Sequence, residues 1–212
     1  MYLGLDLGTS GLRGILVDDT GHVVGDAEVS ISTSTPKPGW SEQDPLDWTN
    51  ACEEVVGKLR VGNQQAFSKL RGIGLSGHMH GATLLDHDGE ILRPCILWND
   101  TRSADEARTL DQTPEMRAIS GNIVFPGFTA PKLEWLRANE PDVFSKVGKV
   151  LLPKDYLRFW LTGEYVSDMS DSAGTSWLDV DTRRWSKKAL AIGHMRAEQM
   201  PSLVEGSDRE ES

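Results

Sequence analysis

A carboxylate, two glycines and two hydroxyls occur close together near the start of the chain: Asp6, Gly8, Thr9, Ser10 and Gly11. They lie between apolar runs at residues 2–7 and 12–17, a pattern typical of two strands joined by a tight turn. Glycines let backbone N–H groups approach a phosphate, and the two hydroxyls can add donors. Asp6 could hold Mg²⁺, usually through water, because this ion keeps much of its hydration shell. The pattern predicts a phosphate-binding turn; the alternative is a plain hairpin turn whose Asp6 faces solvent.

Arg13 follows this turn and has two interpretations, which stay open. It could bind a phosphate, or it could simply lie on the face of a strand. The turn is not a Walker A loop, because no Gly-Lys-Ser/Thr follows and the next element is a strand rather than a helix.

Two histidines, His78 and His80, flank Met79 just after a predicted strand. In an extended segment they point to the same side, so a divalent metal site is conceivable. A metal-dependent phosphohydrolase would need a further ligand, such as Asp86 or Asp88. No third ligand converges in the sequence pattern, which favours ordinary structural histidines.

The predicted elements around these residues indicate an α/β domain. Three consecutive strands at residues 2–7, 12–17 and 23–31 predict an antiparallel meander, and a helix should begin at Pro45 after the N-cap Asp44. Further strands alternate with this helix, so we expect a mixed sheet. The second half is predicted to contain helices at Ser103–Leu110, Pro114–Ser120, Pro131–Asn139, Pro141–Val147, Lys154–Leu161 and Ser186–Ile192.

The composition is that of a globular chain: 212 residues, 38% hydrophobic and 25% charged, with a net charge of −10. A net-acidic chain without a Lys/Arg run disfavours nucleic acid and anionic membranes as partners. No stretch approaches the length of a membrane span, and the start of the chain has no basic signal region. Cys52 and Cys95 are expected to be buried, reduced thiols, so we predict a cytoplasmic location.

Several sequence blocks together resemble the FGGY carbohydrate kinases. The blocks are Asp6–Ser10 with Arg13, Trp40–Pro45, His78–Thr83, Trp98–Arg102 and Gly127–Trp135. Met79–Gly81, Leu97–Asp100 and Leu152–Tyr156 are most similar to the bacterial xylulokinases of that family. The similarity covers nearly the whole chain. It implies an actin-like ATPase (ribonuclease H-like) fold with helical insertions in the second half.

The resemblance also implies a domain organisation and an activity. Residues 1–204 would be the sugar-binding N-terminal domain and residues 205–212 an acidic disordered tail, with the C-terminal ATP-binding domain absent. The complete enzyme would phosphorylate D-xylulose, or a related pentulose, with ATP and Mg²⁺. The family's catalytic aspartate lies beyond the matched segment, so we expect the chain alone to be inactive. The alternative is a non-catalytic sugar-binding module that pairs with a separate C-terminal half; a homodimer is left open.

The resemblance assigns further residues to the sugar site. It implies that Met79 and His80 line the site and that Asn99 and Asp100 are their neighbours. Asn99 or Asp100 could instead cap the following helix. Lys132, near a helix start where a cation opposes the macrodipole, hints at a tertiary partner, although a solvated lysine is the expected outcome.

Overall fold

A computed structural model of the chain describes residues 1–208 and contains two compact units. Unit 1 comprises Met1–Thr33 and Asp44–His78. Unit 2 comprises Ser34–Gln43 and Met79–Ser212, of which the last four residues lie outside the described part. The assignment of residues 1–204 to a single sugar-binding domain stays a prediction.

Unit 1 is built on a four-stranded mixed sheet. Its elements are β1 (Tyr2–Leu7), β2 (Gly11–Val17), β3 (Val23–Ser30), α1 (Pro45–Gly62), α2 (Gln64–Phe67) and β5 (Ile73–Gly77). The strand order is β3-β2-β1-β5, with β1 antiparallel to β2, β2 antiparallel to β3, and β1 parallel to β5. The predicted antiparallel meander and the predicted mixed sheet are both confirmed.

Helix α1 begins where the sequence predicted. The Asp44 side chain accepts a hydrogen bond from Leu46 N at 3.0 Å, and Pro45 occupies the first helical turn, where its missing N–H has no cost. The helix packs on β2 and β3 through its buried apolar face. Gly14 on β2 allows this close approach, because a Cβ there would lie 2.4 Å from Val55 Cγ1.

Unit 2 combines short strands with most of the helices. Its elements are β4 (Glu42–Gln43), β6 (Thr83–Leu85), β7 (Cys95–Ile96), α3 (Ala104–Asp111), α4 (Pro114–Ser120), α5 (Thr129–Asn139), α6 (Pro141–Phe144), β8 (Lys149–Leu151), α7 (Pro153–Thr162), β9 (Val166–Asp168), α8 (Met169–Ser172), β10 (Leu178–Asp179), β11 (Arg184–Trp185), α9 (Lys187–Ile192) and β12 (Ser202–Val204). The strands form four pairs, β4 with β7, β6 with β8, β9 with β12 and β10 with β11. One apolar core joins the strands β6, β7 and β8 to the helices α3, α4, α5 and α9, with Leu133, Leu136 and Trp177 among its most buried members.

The predicted helices are all present; α4 has the predicted boundaries, and the ends of the others differ by at most three residues. The strands β4 and β8 to β12 and the short helices α2 and α8 were not predicted. Residues 205–208 of the predicted acidic tail form a turn in which Asp208 N donates to Glu205 O at 2.9 Å. The rest of that tail, residues 209–212, lies outside the described residues. Within the described part, no helix has the length and apolar character needed to span a bilayer.

The contact between Gly14 and α1 gives a test of unit 1. We expect Gly14→Ala to lower the free energy of unfolding by about 1–3 kcal/mol, because the added methyl group overlaps Val55 and forces the helix away from β2. Gly57→Ala is the matched control, since a Cβ at this exposed position of α1 meets no atom within 4 Å. It should be neutral or stabilise by up to about 1 kcal/mol. Urea unfolding of both variants measures the difference; equal stability would contradict the packing described here.

Candidate functional site

Asp6 lies near the end of β1 in unit 1, beside residues of both neighbouring strands. It is opposite Arg13 on β2 and Ser76 on β5 in the strand register. Ser76 Oγ donates a hydrogen bond to Asp6 Oδ1 at 2.7 Å, and the Asp6 side chain is exposed. The structure therefore places an accessible carboxylate at the entrance to the predicted phosphate-binding turn.

The two glycines of this turn are required for different reasons. At Gly11 a Cβ would lie 2.7 Å from the carbonyl oxygen of Val29, so its absence is needed for the packing of β2 against β3. At Gly8 a Cβ would lie 3.2 Å from Gly11 O, inside the turn itself. The Ser10 side chain is exposed, while its carbonyl accepts from Ile31 N at 2.9 Å. Gly11 is buried, whereas Gly8 and Thr9 are partly exposed and Ser10 is exposed, so these three residues form the accessible part of the turn.

Arg13 is exposed on the sheet. Its guanidinium lies 3.6 Å from Asp26 Oδ2 on β3, with more than half of both side chains open to solvent. An exposed pair of this kind contributes little to stability. Arg13 is therefore free to exchange this partner for another anion.

In unit 2, His80 occupies an uncommon backbone conformation. Its φ is +64°, in the left-handed region, and Gly81 N donates to Met79 O at 2.8 Å across it. This is the three-residue γ-turn with positive φ, a strained conformation that is rare in proteins. Met79 is 52% exposed, whereas His80 is half-buried, so the turn presents both predicted sugar-site side chains at one place.

The imidazole of His80 is held in a tight space. The Phe128 ring lies 4.7 Å from it between centroids, and a Cβ on Gly174 would come within 2.2 Å of His80 Cε1. Burial, together with the charge of nearby Lys132, lowers the pKa of His80 to about 4. The imidazole is therefore neutral at physiological pH, with one nitrogen that donates and one that accepts.

Asp100 is 1% exposed, and its carboxylate is fully occupied by protein donors. It accepts from Ser41 N at 2.6 Å and from the backbone and guanidinium of Arg102 at 2.7–2.9 Å. Asn99 beside it is exposed. Helix α3 begins at Ala104 with Ser103 at the N-cap position, so the alternative that Asn99 or Asp100 caps this helix is wrong. Their role in sugar binding stays a prediction.

Lys132 is fully buried, and the expectation of a solvated lysine is wrong. Its ammonium donates to His80 O at 2.8 Å and to Gly127 O at 2.7 Å. Burial lowers the pKa of Lys132 to about 7, because the charged form is poorly solvated there. The one sequence signal for this site was the conflict between a cation and the start of a helix. Phe128 and Thr129 lie in the block Gly127–Trp135 that resembles the family, but the sequence assigned neither of them, nor Gly174, a place beside His80.

The structure gives no support to the alternative of a metal site at His78 and His80. Within residues 1–208, no group of three His, Cys, Asp or Glu side chains is placed to hold a metal ion. A separate acidic cluster is paired internally: Lys154 Nζ lies 2.6–3.0 Å from Asp155, Asp168 and Asp171.

Comparison with known proteins identifies similar sequences along the whole described chain. A family model for the FGGY family of carbohydrate kinases, N-terminal domain, matches residues 1–210. The xylulose kinase of Escherichia coli (strain K12) is 49% identical over 209 residues, which cover 98% of this chain and 43% of that protein. The xylulose kinase of Klebsiella pneumoniae is 51% identical over 209 residues, with the same coverage. The chain thus spans less than half the length of these curated relatives.

Solved structures of sugar kinases are also similar to this chain. A crystal structure described as a "xyloylose kinase" from Brucella ovis has a TM-score of 0.97 and 61% identity, covering 98% of this chain and 44% of that one. A xylulose kinase from Rhodospirillum rubrum has a TM-score of 0.89 and 30% identity, covering 95% of this chain and 42% of that one. The expected actin-like fold is confirmed.

The low pKa of His80 predicts how stability changes with pH. The folded chain keeps this imidazole neutral down to about pH 4, whereas an unperturbed imidazole protonates near 6.5. The unfolded state therefore binds more protons between these values, so His80 makes the free energy of unfolding rise with pH across that interval. We expect His80→Asn, which tolerates a positive φ, to flatten the rise. Urea unfolding at a series of pH values from about 4.5 to 7 measures the free energy of unfolding of both proteins. If this free energy rose equally with pH in the wild type and in His80→Asn, the result would contradict a neutral, buried imidazole.

Proposed function

Because the chain belongs to the FGGY family of carbohydrate kinases, we propose that it is the sugar-binding part of an ATP-dependent kinase that phosphorylates D-xylulose or a related pentulose. The family and the named relatives support this proposal, since the relatives with the highest identities given above are xylulose kinases. The family implies ATP as the phosphate donor. The relatives are more than twice as long as this chain, so the complete reaction belongs to a longer protein.

The observation that supports sugar binding most directly is the state of His80. The Nδ1 atom of this neutral imidazole is buried beside Gly174, so a sugar hydroxyl would meet Nε2, which donates or accepts according to the tautomer. The exposed apolar side chain of Met79 offers a surface for the C–H groups of the sugar. Asn99 adds an exposed amide with a donor and an acceptor. We assign Asp100 an indirect role, because its oxygens are already occupied by Arg102 and Ser41.

The turn between β1 and β2 fits the phosphates of ATP in its chemistry. Gly8 and Thr9 are partly exposed, and the Ser10 hydroxyl and the Arg13 guanidinium are exposed donors. Asp6 is an exposed carboxylate suited to hold a hydrated Mg²⁺, which would supply positive charge to the phosphates. The acceptor of the sugar hydroxyl proton is not assigned to any residue of this chain. A cytoplasmic location fits the two free, buried cysteines.

Titration of the purified chain with D-xylulose tests the sugar site. We expect saturable binding by calorimetry, and His80→Asn should weaken it by about tenfold or more because a hydrogen-bonding ring is lost. His87→Asn is the matched control, since it makes the same change at an exposed turn residue and should leave affinity unchanged. Absence of binding to the wild-type chain, or equal binding by His80→Asn, would contradict the proposal.

A further inference from the structure

The ammonium group of Lys132 is buried in a way that needs an explanation. Its side chain has no exposed surface, and the nearby Asp100 carboxylate is already paired with Arg102. Burial of an amine that has no ion-pair partner of its own is unfavourable, and hydrogen bonds to its N–H groups offset part of this cost. The two bonds that it makes both go to backbone carbonyls, those of His80 and Gly127.

The carbonyl of His80 receives two side-chain donors from the same helix. Thr129 Oγ1 lies 3.1 Å from it and Lys132 Nζ 2.8 Å from it. Both donors belong to the first turn of α5, and that helix is anchored in the core by Leu133 and Leu136, which are fully buried. The carbonyl is therefore held by groups that have little freedom to move.

The conformation of His80 needs such a constraint. A residue with a side chain is rarely stable at a φ of +64°, and it persists where the surroundings determine it. Ring contacts with Phe128 and the close backbone of Gly174 restrict the imidazole on its other side. The backbone of His80 is thus fixed by α5, and its imidazole ring is confined between Phe128 and Gly174.

We propose that Lys132 is a positioning residue for the sugar site: its buried ammonium, together with the Thr129 hydroxyl, holds the His80 carbonyl so that the imidazole stays in the orientation that binds the substrate hydroxyls. This inference rests on the proposed function of His80. It gives Lys132 no contact with the sugar; the lysine acts through the backbone of the residue that makes the contact.

Lys132→Met tests this role, because it retains the length of the side chain and removes the donor. Lys149→Met is a matched control: Lys149 Nζ also donates to two backbone carbonyls, those of Glu198 and Met200, but these belong to another part of unit 2. The readout is the NMR signal of the His80 imidazole through a pH titration without sugar. We expect Lys132→Met to shift this signal and to raise its pKa toward the ordinary value, and Lys149→Met to leave both unchanged.

Sugar affinity is the second readout. Lys132→Met should weaken D-xylulose binding by about tenfold, whereas Lys149→Met should not. If Lys132→Met does not fold, Thr129→Val removes the other donor to the His80 carbonyl with a smaller change of shape. It should shift the His80 signal and weaken D-xylulose binding to a smaller extent, while the pKa of His80 stays low because its burial and the Lys132 charge are retained. An unchanged His80 signal in a folded donor variant overturns the positioning role. Absence of sugar binding in the wild-type chain overturns the proposed function instead, and the NMR result still decides the positioning of His80.

Discussion

The guanidinium of Arg102 joins segments of unit 2 that are far apart in the sequence. It lies 3.7 Å from the Trp40 ring centroid and 5.1 Å from that of Trp135 on α5, and it pairs with Asp100 and Glu42 at 2.7 Å. Arginine suits such a place because its flat, weakly hydrated group stacks on rings and binds carboxylates through two bonds. Since Asp100 also accepts from Ser41 N, the segments around residues 40 and 100 are held to α5, the helix that provides the donors to His80.

The fold was predictable from the sequence where the pattern is local. The alternation and turn residues of β1–β3 and the Asp44-Pro45 start of α1 depend on neighbours along the chain, and they were predicted correctly. Strand β4 has two residues, too few to show a periodic pattern. It exists because it pairs with β7, which lies about fifty residues later in the chain.

The candidate site was predictable in part for the same reason. The residue types at Asp6 and the following turn indicate their chemistry directly, and the family resemblance pointed to Met79 and His80. The partner of Lys132 lies 52 residues earlier in the chain, so the local conflict at the helix start could signal a partner but not identify it. The saturation of Asp100 by Arg102 also depends on a tertiary arrangement, because the stacking rings that fix the guanidinium come from two other segments.

Each unit contains one cysteine, Cys52 in α1 of unit 1 and Cys95 in β7 of unit 2. Both are buried, and burial raises the pKa of each thiol to about 11, so neither is a thiolate in the native chain at neutral pH. Reaction with an alkylating reagent then requires local opening. The two thiols are therefore separate internal reporters, one for the opening of the mixed sheet with its helix and one for the opening of the segment that precedes Trp98.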